Sequence, residues 1–327
     1  MKGQFIISLD FEKFWGVFDS KSLDTYAENL NAVDSVVEKL LTLADSYNVK
    51  LTFATVGFLF HESKEALESD IPKLQPKYKD ARHSPYSLIS EIPNDANSSS
   101  VYFALDTIKK IKANGNHEIS THTFCHYYCL EDGQSADHFA EDLDMAIEMG
   151  NKLDIPIRSI VFPRNQVNQA HLEICKDKGI LAYRGNEKHT IYQPKPYKKS
   201  KKPLHRIMRI ADAYFNITGR NVYNLSELTS GTIVNLASSY FLRPYTSKLS
   251  FLESFKRRRI KNGMTKAAKT NRLFHLWFHP HNFGKDIEKN LDNFETILKT
   301  YQELKDIYGF ESSTMTSLAE ELINIDK

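Results

Sequence analysis

Residues 4–12 read Gln4-Phe5-Ile6-Ile7-Ser8-Leu9-Asp10-Phe11-Glu12. An apolar run that ends in two carboxylates fits a strand buried on both faces, with its C-terminal end opening on something polar. On an alternating strand Asp10 and Glu12 point to the same side. Six more β-like runs follow, at 51–56, 118–121, 159–162, 180–183, 232–236 and 273–278. Helical spacing fills the gaps between them. The clearest case is 26–43, where Leu30, Val33, Val37 and Leu40 recur every three or four residues; others are 101–113, 136–153, 168–178 and 290–308. Strands alternating with helices predict βα units around a parallel sheet, and about seven of them spread over the whole chain favour an α/β barrel over an open sheet. In a parallel barrel the C-terminal strand ends form the active-site face, and Asp10 and Glu12 lie at such an end.

Composition sets the outer limits. The chain has 327 residues, 41% hydrophobic and 26% charged, ordinary values for a globular protein. With 43 Lys+Arg against 41 Asp+Glu there is no global charge argument for nucleic acid, and none is expected as a partner. The first apolar stretch is too short and too charged for a signal-peptide core, and no run of about 18 apolar residues occurs, so no transmembrane segment and a cytoplasmic location are expected. Cys125, Cys129 and Cys175 are too few for a disulfide framework, and Cys125 and Cys129 read as packing residues. Two stretches break the rhythm. Residues 61–100 contain Pro72, Pro76, Pro85 and Pro93, and 188–209 is a basic excursion around Pro194, Pro196 and Pro203; both read as insertions. The run Lys256-Arg257-Arg258-Arg259, with Lys261, Lys266 and Lys269, reads most plainly as the solvated face of a helix. Its sharper reading is a peripheral contact of 256–269 with a substrate diphosphate or with anionic lipid headgroups.

Chemistry-bearing residues gather at strand ends. His122-Thr123-Phe124-Cys125-His126 follows a strand, and residues four apart on one helical face could converge on one ion. Alone this is weak: 12 His in 327 residues give roughly 0.4 such pairs by chance, and His275 and His279 repeat the spacing. Asp10 and Glu12 strengthen it, because like charges this close need a cation or a proton. An ion held by one carboxylate and two His, with the other carboxylate left as a base, resolves the conflict. Val161-Phe162-Pro163-Arg164-Asn165 ends another strand with Arg164, a fixed cation suited to orienting a carboxylate. In 274–281, alternation puts His275, Trp277 and His279 on one side, with His279 nearest the strand end.

Together these segments resemble the polysaccharide deacetylase superfamily, carbohydrate esterase family 4, and the resemblance runs in order over residues 4–320. His122-Thr123-Phe124-Cys125-His126, preceded by the Gly-x-His-Glu-Ile pattern of 115–119, is similar to the family's His-Thr/Ser-x-x-His motif. Asp10-Phe11-Glu12 is similar to the Asp-x-Asp or Asp-x-Glu of some relatives, and it departs from the usual Thr-Phe-Asp-Asp. Phe162-Pro163-Arg164-Asn165 resembles the arginine motif loosely, with Arg158 as a fallback, and Phe278-His279-Pro280 fits the motif that supplies an acid. The resemblance implies an irregular (β/α)7-type barrel forming one catalytic domain over 1–327. It also implies a divalent metal, with zinc expected, on Glu12, His122 and His126. Asp10 becomes the base, oriented by Arg164, and His279 the acid; the roles of Asp10 and Glu12 could be exchanged. Trp277, His281, Asn165, Arg184 and Arg243 are expected to meet the substrate. Arg184 and Phe241-Leu242-Arg243-Pro244-Tyr245 are similar to a cytoplasmic-type branch associated with bacterial surface-polysaccharide biosynthesis. The activity implied is removal of an N-acetyl group from a nucleotide- or lipid-linked sugar. Two alternatives stay open: a metal-dependent amidase or imidase on a non-sugar substrate, and a non-catalytic carbohydrate-binding relative.

Overall fold

The structure is a computed structural model and describes residues 1–196, 199 and 203–325. Its strands are β1 (Gln4–Phe11), β2 (Thr52–Thr55), β3 (Glu118–Thr121), β4 (Ser159–Ile160), β5 (Ala182–Tyr183), β6 (Tyr223–Asn224), β7 (Val234–Asn235), β8 (Tyr240–Phe241), β9 (Arg272–Phe278) and β10 (Glu311–Ser312). They form one sheet in the order β6-β9-β1-β2-β3-β4-β5-β7, with β10 added on β1 and β8 on β9. Every pairing is parallel except β6 with β9. Residues 234–241 close the curl, because β7 pairs with β5 while β8 pairs with β9. The result is an irregular (β/α)7-type barrel. All seven strands read from the sequence are present, and the two-residue pairings β6, β8 and β10 are added to them.

Alternation divides the side chains into two layers. Phe5, Ile7, Leu9 and Phe11 of β1 and Phe274, Leu276 and Phe278 of β9 face outward, into the large core between sheet and helices. Ile6 and Leu273 face inward and join Ala54, Val161, Ala182, Val234 and Leu236 in a small inner cluster. The helix Met315–Ile325 closes that N-terminal end with Met315, Leu318, Ala319 and Leu322. Its first turn is held by Glu118, whose carboxylate accepts from the Thr316 amide at 3.1 Å and from the Thr52 hydroxyl at 2.9 Å. A carboxylate suits the positive end of a helix. The barrel is thus apolar and plugged at one end, and Ser8, Asp10, Trp277 and His279 lie above the plug.

Sequence and structure differ in two helical places. The expected 26–43 helix is two, Leu23–Asn31 and Val33–Ser46. The basic run lies in the helix Glu253–Lys269, but Lys256, Arg259, Ile260, Gly263, Met264 and Ala267 form its buried face. Lys256 is used up on Glu253 at 2.8 Å and on the Arg243 carbonyl at 2.9 Å, and Arg259 on Asp212 at 2.7 Å. The run is therefore not one solvated face. Among the described residues no helix is long and apolar enough to cross a membrane.

Candidate active site

Asp10 of β1 and Glu12 just past it have separate surroundings. Asp10 is 3% exposed and takes a bidentate pair from Arg184, itself fully buried, at 2.6 and 2.8 Å. Arg184 also donates to Ser8 Oγ at 3.0 Å and to Asn165 Oδ1 at 2.9 Å, and its guanidinium lies 4.2 Å over the Trp277 ring. Burial alone would raise the Asp10 pKa; the Arg184 guanidinium, with His122 and His279, outweighs it and holds the carboxyl below its ordinary value.

Glu12, one residue past β1, is ringed by histidines instead. His122 Nε2 and His126 Nε2 lie 3.2 and 3.1 Å from its Oε2, and His281 Nε2 and His279 Nε2 lie 3.1 and 3.5 Å from its Oε1. Burial opposes its ionisation, but His279 and the three other imidazoles hold it well below the usual carboxylate range. Gly16 makes this placement possible. A Cβ there would stand 1.9 Å from Glu12 Cδ and 2.0 Å from Oε1.

His122 and His126 do not lie on a helix, so the expected helical-face argument fails although the residues converge. They flank an irregular turn in which Thr123 (φ 64) and His126 (φ 61) are left-handed, a conformation unfavourable for a β-branched residue. Side chains hold the turn. Asp142 accepts from the amides of Phe124 and Cys125 at 2.8 and 3.0 Å, and Thr123 Oγ1 accepts from the Tyr127 amide at 2.7 Å. Burial pushes the Asp142 pKa up to about 6. His122 Nδ1 donates to the Val161 carbonyl at 2.7 Å, which orients the ring with Nε2 toward Glu12.

Across the site, Asn282 Nδ2 donates to His279 Nδ1 at 3.1 Å, which places the ring hydrogen on Nε2. That nitrogen is 3.6 Å from Asp10 Oδ2 and faces both carboxylates. His281 Nδ1 meets the Tyr26 hydroxyl at 2.8 Å, and Tyr26 also donates to Asn282 Oδ1 at 3.2 Å. Burial lowers the His279 pKa to about 4, and Glu12 and Asp10 offset part of that.

Several expectations need correction. Arg164 does not orient Asp10: its left-handed backbone (φ 54) turns it to Asp19 and over the Tyr128 ring at 4.1 Å. The guanidinium on Asp10 belongs to Arg184, which is too buried to meet substrate. The fallback, Arg158, donates to the Gly179 carbonyl at 3.2 Å. Asn165 buttresses Arg184, and His281 holds Glu12 instead of facing the substrate. His275 is a core residue, bonded to the Leu236 carbonyl and Ser8 at 2.7 and 2.8 Å, with its pKa pushed down by burial to about 3. Sequence reading missed Gly16, Tyr26, Asp142 and Asn282, and nothing in the pattern around Gly16, Tyr26 or Asn282 singles them out. Asp142 alone left a trace, as a polar residue on the buried face of the helix Ala136–Lys152.

Two groups could hold an ion, Glu12 with His122 and His126, and Glu12 with His279 and His281. The first fits better. A tetrahedral ion with bonds of about 2.0–2.2 Å separates its ligand atoms by roughly 3.3–3.6 Å; the first group has 3.1 and 3.2 Å and the second 3.1 and 3.5 Å, so spacing suits both and the ring hydrogens separate them. With Nδ1 donating to the Val161 carbonyl, His122 offers Nε2 to an ion beside Glu12, whereas the Asn282 contact leaves the ring hydrogen of His279 on its Nε2.

Beside His279 and Trp277 opens a cavity of about 420 Å³, lined also by Asn165, Glu187, Tyr192, Arg209, Phe241 and Arg243. The Trp277 indole N–H is buried there without a partner.

No protein-family profile and no curated protein matches the sequence. Solved structures do match in fold. A Mycobacterium smegmatis protein assigned as a polysaccharide deacetylase is 13% identical, with 99% of this chain and 92% of that one covered and a TM-score of 0.61. The allantoinase PuuE is 11% identical over 97% and 89%, with a TM-score of 0.53. The α-amylase AmyC from Thermotoga maritima is 11% identical over 98% and 75%, with a TM-score of 0.52. At these identities the likeness is one of fold, the barrel described above.

Proposed function

We propose that the protein is a metal-dependent hydrolase that removes an N-acetyl group from a sugar, a nucleotide- or lipid-linked precursor of a surface polysaccharide, and releases acetate. The observation that carries this reading is the division of labour between the two carboxylates at the end of β1. One is locked by a buried arginine, and the other is surrounded by imidazoles at ligand spacing. Glu12, His122 and His126 would hold a divalent ion, zinc being the expected one for two nitrogens and an oxygen. Such an ion supplies Lewis acidity toward the acetyl carbonyl and the attacking water. Asp10, kept ionised and aimed by Arg184, takes the proton of that water. His279 would give its Nε2 hydrogen to the departing amine as the imidazolium, which carries a hydrogen on Nδ1 as well; burial opposes that form, and the neighbouring Glu12 and Asp10 favour it. Trp277 and the cavity beside it receive the sugar. The fold shared with an allantoinase supports a second reading, hydrolysis of a cyclic or linear amide that is not a sugar.

The test is acetate release from a panel of N-acetylated nucleotide sugars and simple N-acetylhexosamine glycosides, with hydantoins as the rival class. Stoichiometric acetate and free amine from the sugars supports the proposal. Ring opening of hydantoins alone supports the rival, and no turnover of either class by zinc-loaded protein leaves only the binding relative.

A further inference from the structure

The cavity beside His279 is strongly basic. Its walls include Arg164, Lys195, Arg209, Arg243 and Arg259 against one carboxylate, Glu187. Burial pushes the Glu187 pKa up to about 7, so it neutralises little. Two of the cations are already paired, Arg164 with Asp19 and Arg259 with Asp212. Arg209 and Arg243 have no carboxylate partner among the described residues, and Arg209 Nε is buried without a hydrogen-bond partner. Arg206 is close to both and lies three residues before Arg209 on the same face of the helix Pro203–Phe215. Burial, with Arg206 and Arg209 nearby, lowers the Arg243 pKa, which is the sign of a cation lacking its counter-charge. A cluster of guanidiniums facing one cavity is costly unless an anion enters.

We propose that the part of this cavity around Arg209 and Arg243 is an anion subsite, in which these two residues bind the phosphate or diphosphate that carries the N-acetylated sugar. The charge argues for phosphate over a lone carboxylate, since Arg209, Arg243 and Lys195 offer three positive charges and guanidinium forks match phosphate oxygens in pairs. The position fits as well, because the same cavity runs from His279 and Trp277 to Arg243. The reading assigns the diphosphate contact to these residues and not to the 256–269 run, whose inward-facing cations are spent on Glu253 and Asp212. The identity of the sugar rests on the deacetylase reading; the anion does not. The outward side of the helix Pro203–Phe215 exposes Leu204, Ile207 and Phe215, an apolar surface that a prenyl chain could meet.

Calorimetric titration of zinc-loaded protein with inorganic pyrophosphate tests the subsite without any turnover. Wild type should bind, and Arg243→Gln and Arg209→Gln should each weaken binding by about tenfold or more, the effect of losing one charge-assisted pair. Arg209 is only partly buried, so Arg209→Gln decides the matter if Arg243→Gln fails to fold. Equal affinity in folded variants would mean that pyrophosphate is held elsewhere, the ion included, and overturns the proposal, as does no binding by wild type. Uridine diphosphate and a short prenyl diphosphate are then competed against pyrophosphate. The tighter competitor identifies the carrier, and failure of both overturns the assignment. A protein that binds pyrophosphate through these arginines yet releases no acetate refutes the deacetylase reading alone.

Discussion

Replacing Arg184 by Met should be among the most damaging single changes in the barrel, although no helix or outer-core contact is touched. Arg184 is fully buried, and Asp10 is 3% exposed. Its removal strips the carboxylate of two hydrogen bonds at 2.6 and 2.8 Å and leaves an uncompensated charge in the barrel interior. Breaking a buried pair in this way costs about 3–5 kcal/mol. For a chain of this length the unfolding entropy is about 0.7 kcal/mol/K, so the thermal midpoint should drop by about 4–7 °C. Most of that cost belongs to the stranded carboxylate and not to the pair itself. The double variant Asp10→Asn/Arg184→Met should therefore be more stable than Arg184→Met alone, a positive coupling of order 1–3 kcal/mol in a double-mutant cycle. Calorimetry and urea unfolding of the four proteins measure it. An Arg184→Met midpoint within 1 °C of wild type, or a double variant no more stable than the single one, would refute the argument that Arg184 exists to hold Asp10 ionised.

Other consequences can be checked separately. Gly16→Ala forces Glu12 to move by about 1.5 Å, from 1.9 Å to ordinary contact, while metal–ligand bonds tolerate roughly 0.2 Å. Zinc affinity measured against a competing chelator should fall by at least ~10²-fold with the fold intact, and wild-type affinity would exclude Glu12 as a ligand. His171 packs on Phe139 at 4.4 Å, and burial pushes its pKa down to about 4 from 6.5. Its folded value is depressed, so the unfolded chain binds the extra proton between pH 6.5 and 4, and stability is lost as pH falls through that window, by up to about 3 kcal/mol. In urea unfolding at pH 7 and 4.5, His171→Phe should flatten that loss; an unchanged slope would show that the acid sensitivity lies elsewhere. Asp142→Ala removes the acceptor of two amides in a left-handed turn and should cost about 2–4 kcal/mol, with zinc affinity falling alongside. Retained affinity would mean that the turn is held without it.

The period of β1 and β9 made most of the barrel legible. Two-residue alternation places Asp10 with Glu12 and lines up His275, Trp277 and His279 on one side. What it could not supply was distance across the barrel. Arg164 and Arg184 both follow strands, and only the left-handed turn at 164, which sends that side chain to Asp19, decides which guanidinium reaches Asp10. The pair His122 and His126 was found through a helical spacing that the chain does not adopt; the turn that joins them depends on Asp142, 16 residues beyond His126. The basic run of 256–269 misled for the opposite reason. Composition shows charge, but the spacing of 256, 259, 260, 263, 264 and 267 shows a buried face, and spacing prevails wherever acidic partners wait beneath.

The position of the ion is tested most directly by anomalous diffraction at the zinc edge from crystals of zinc-loaded protein. A single peak about 2.0–2.2 Å from Glu12 Oε2, His122 Nε2 and His126 Nε2 is the expected result. A peak between Glu12, His279 and His281 would contradict it, since His279 would then be a ligand with no proton to give the departing amine.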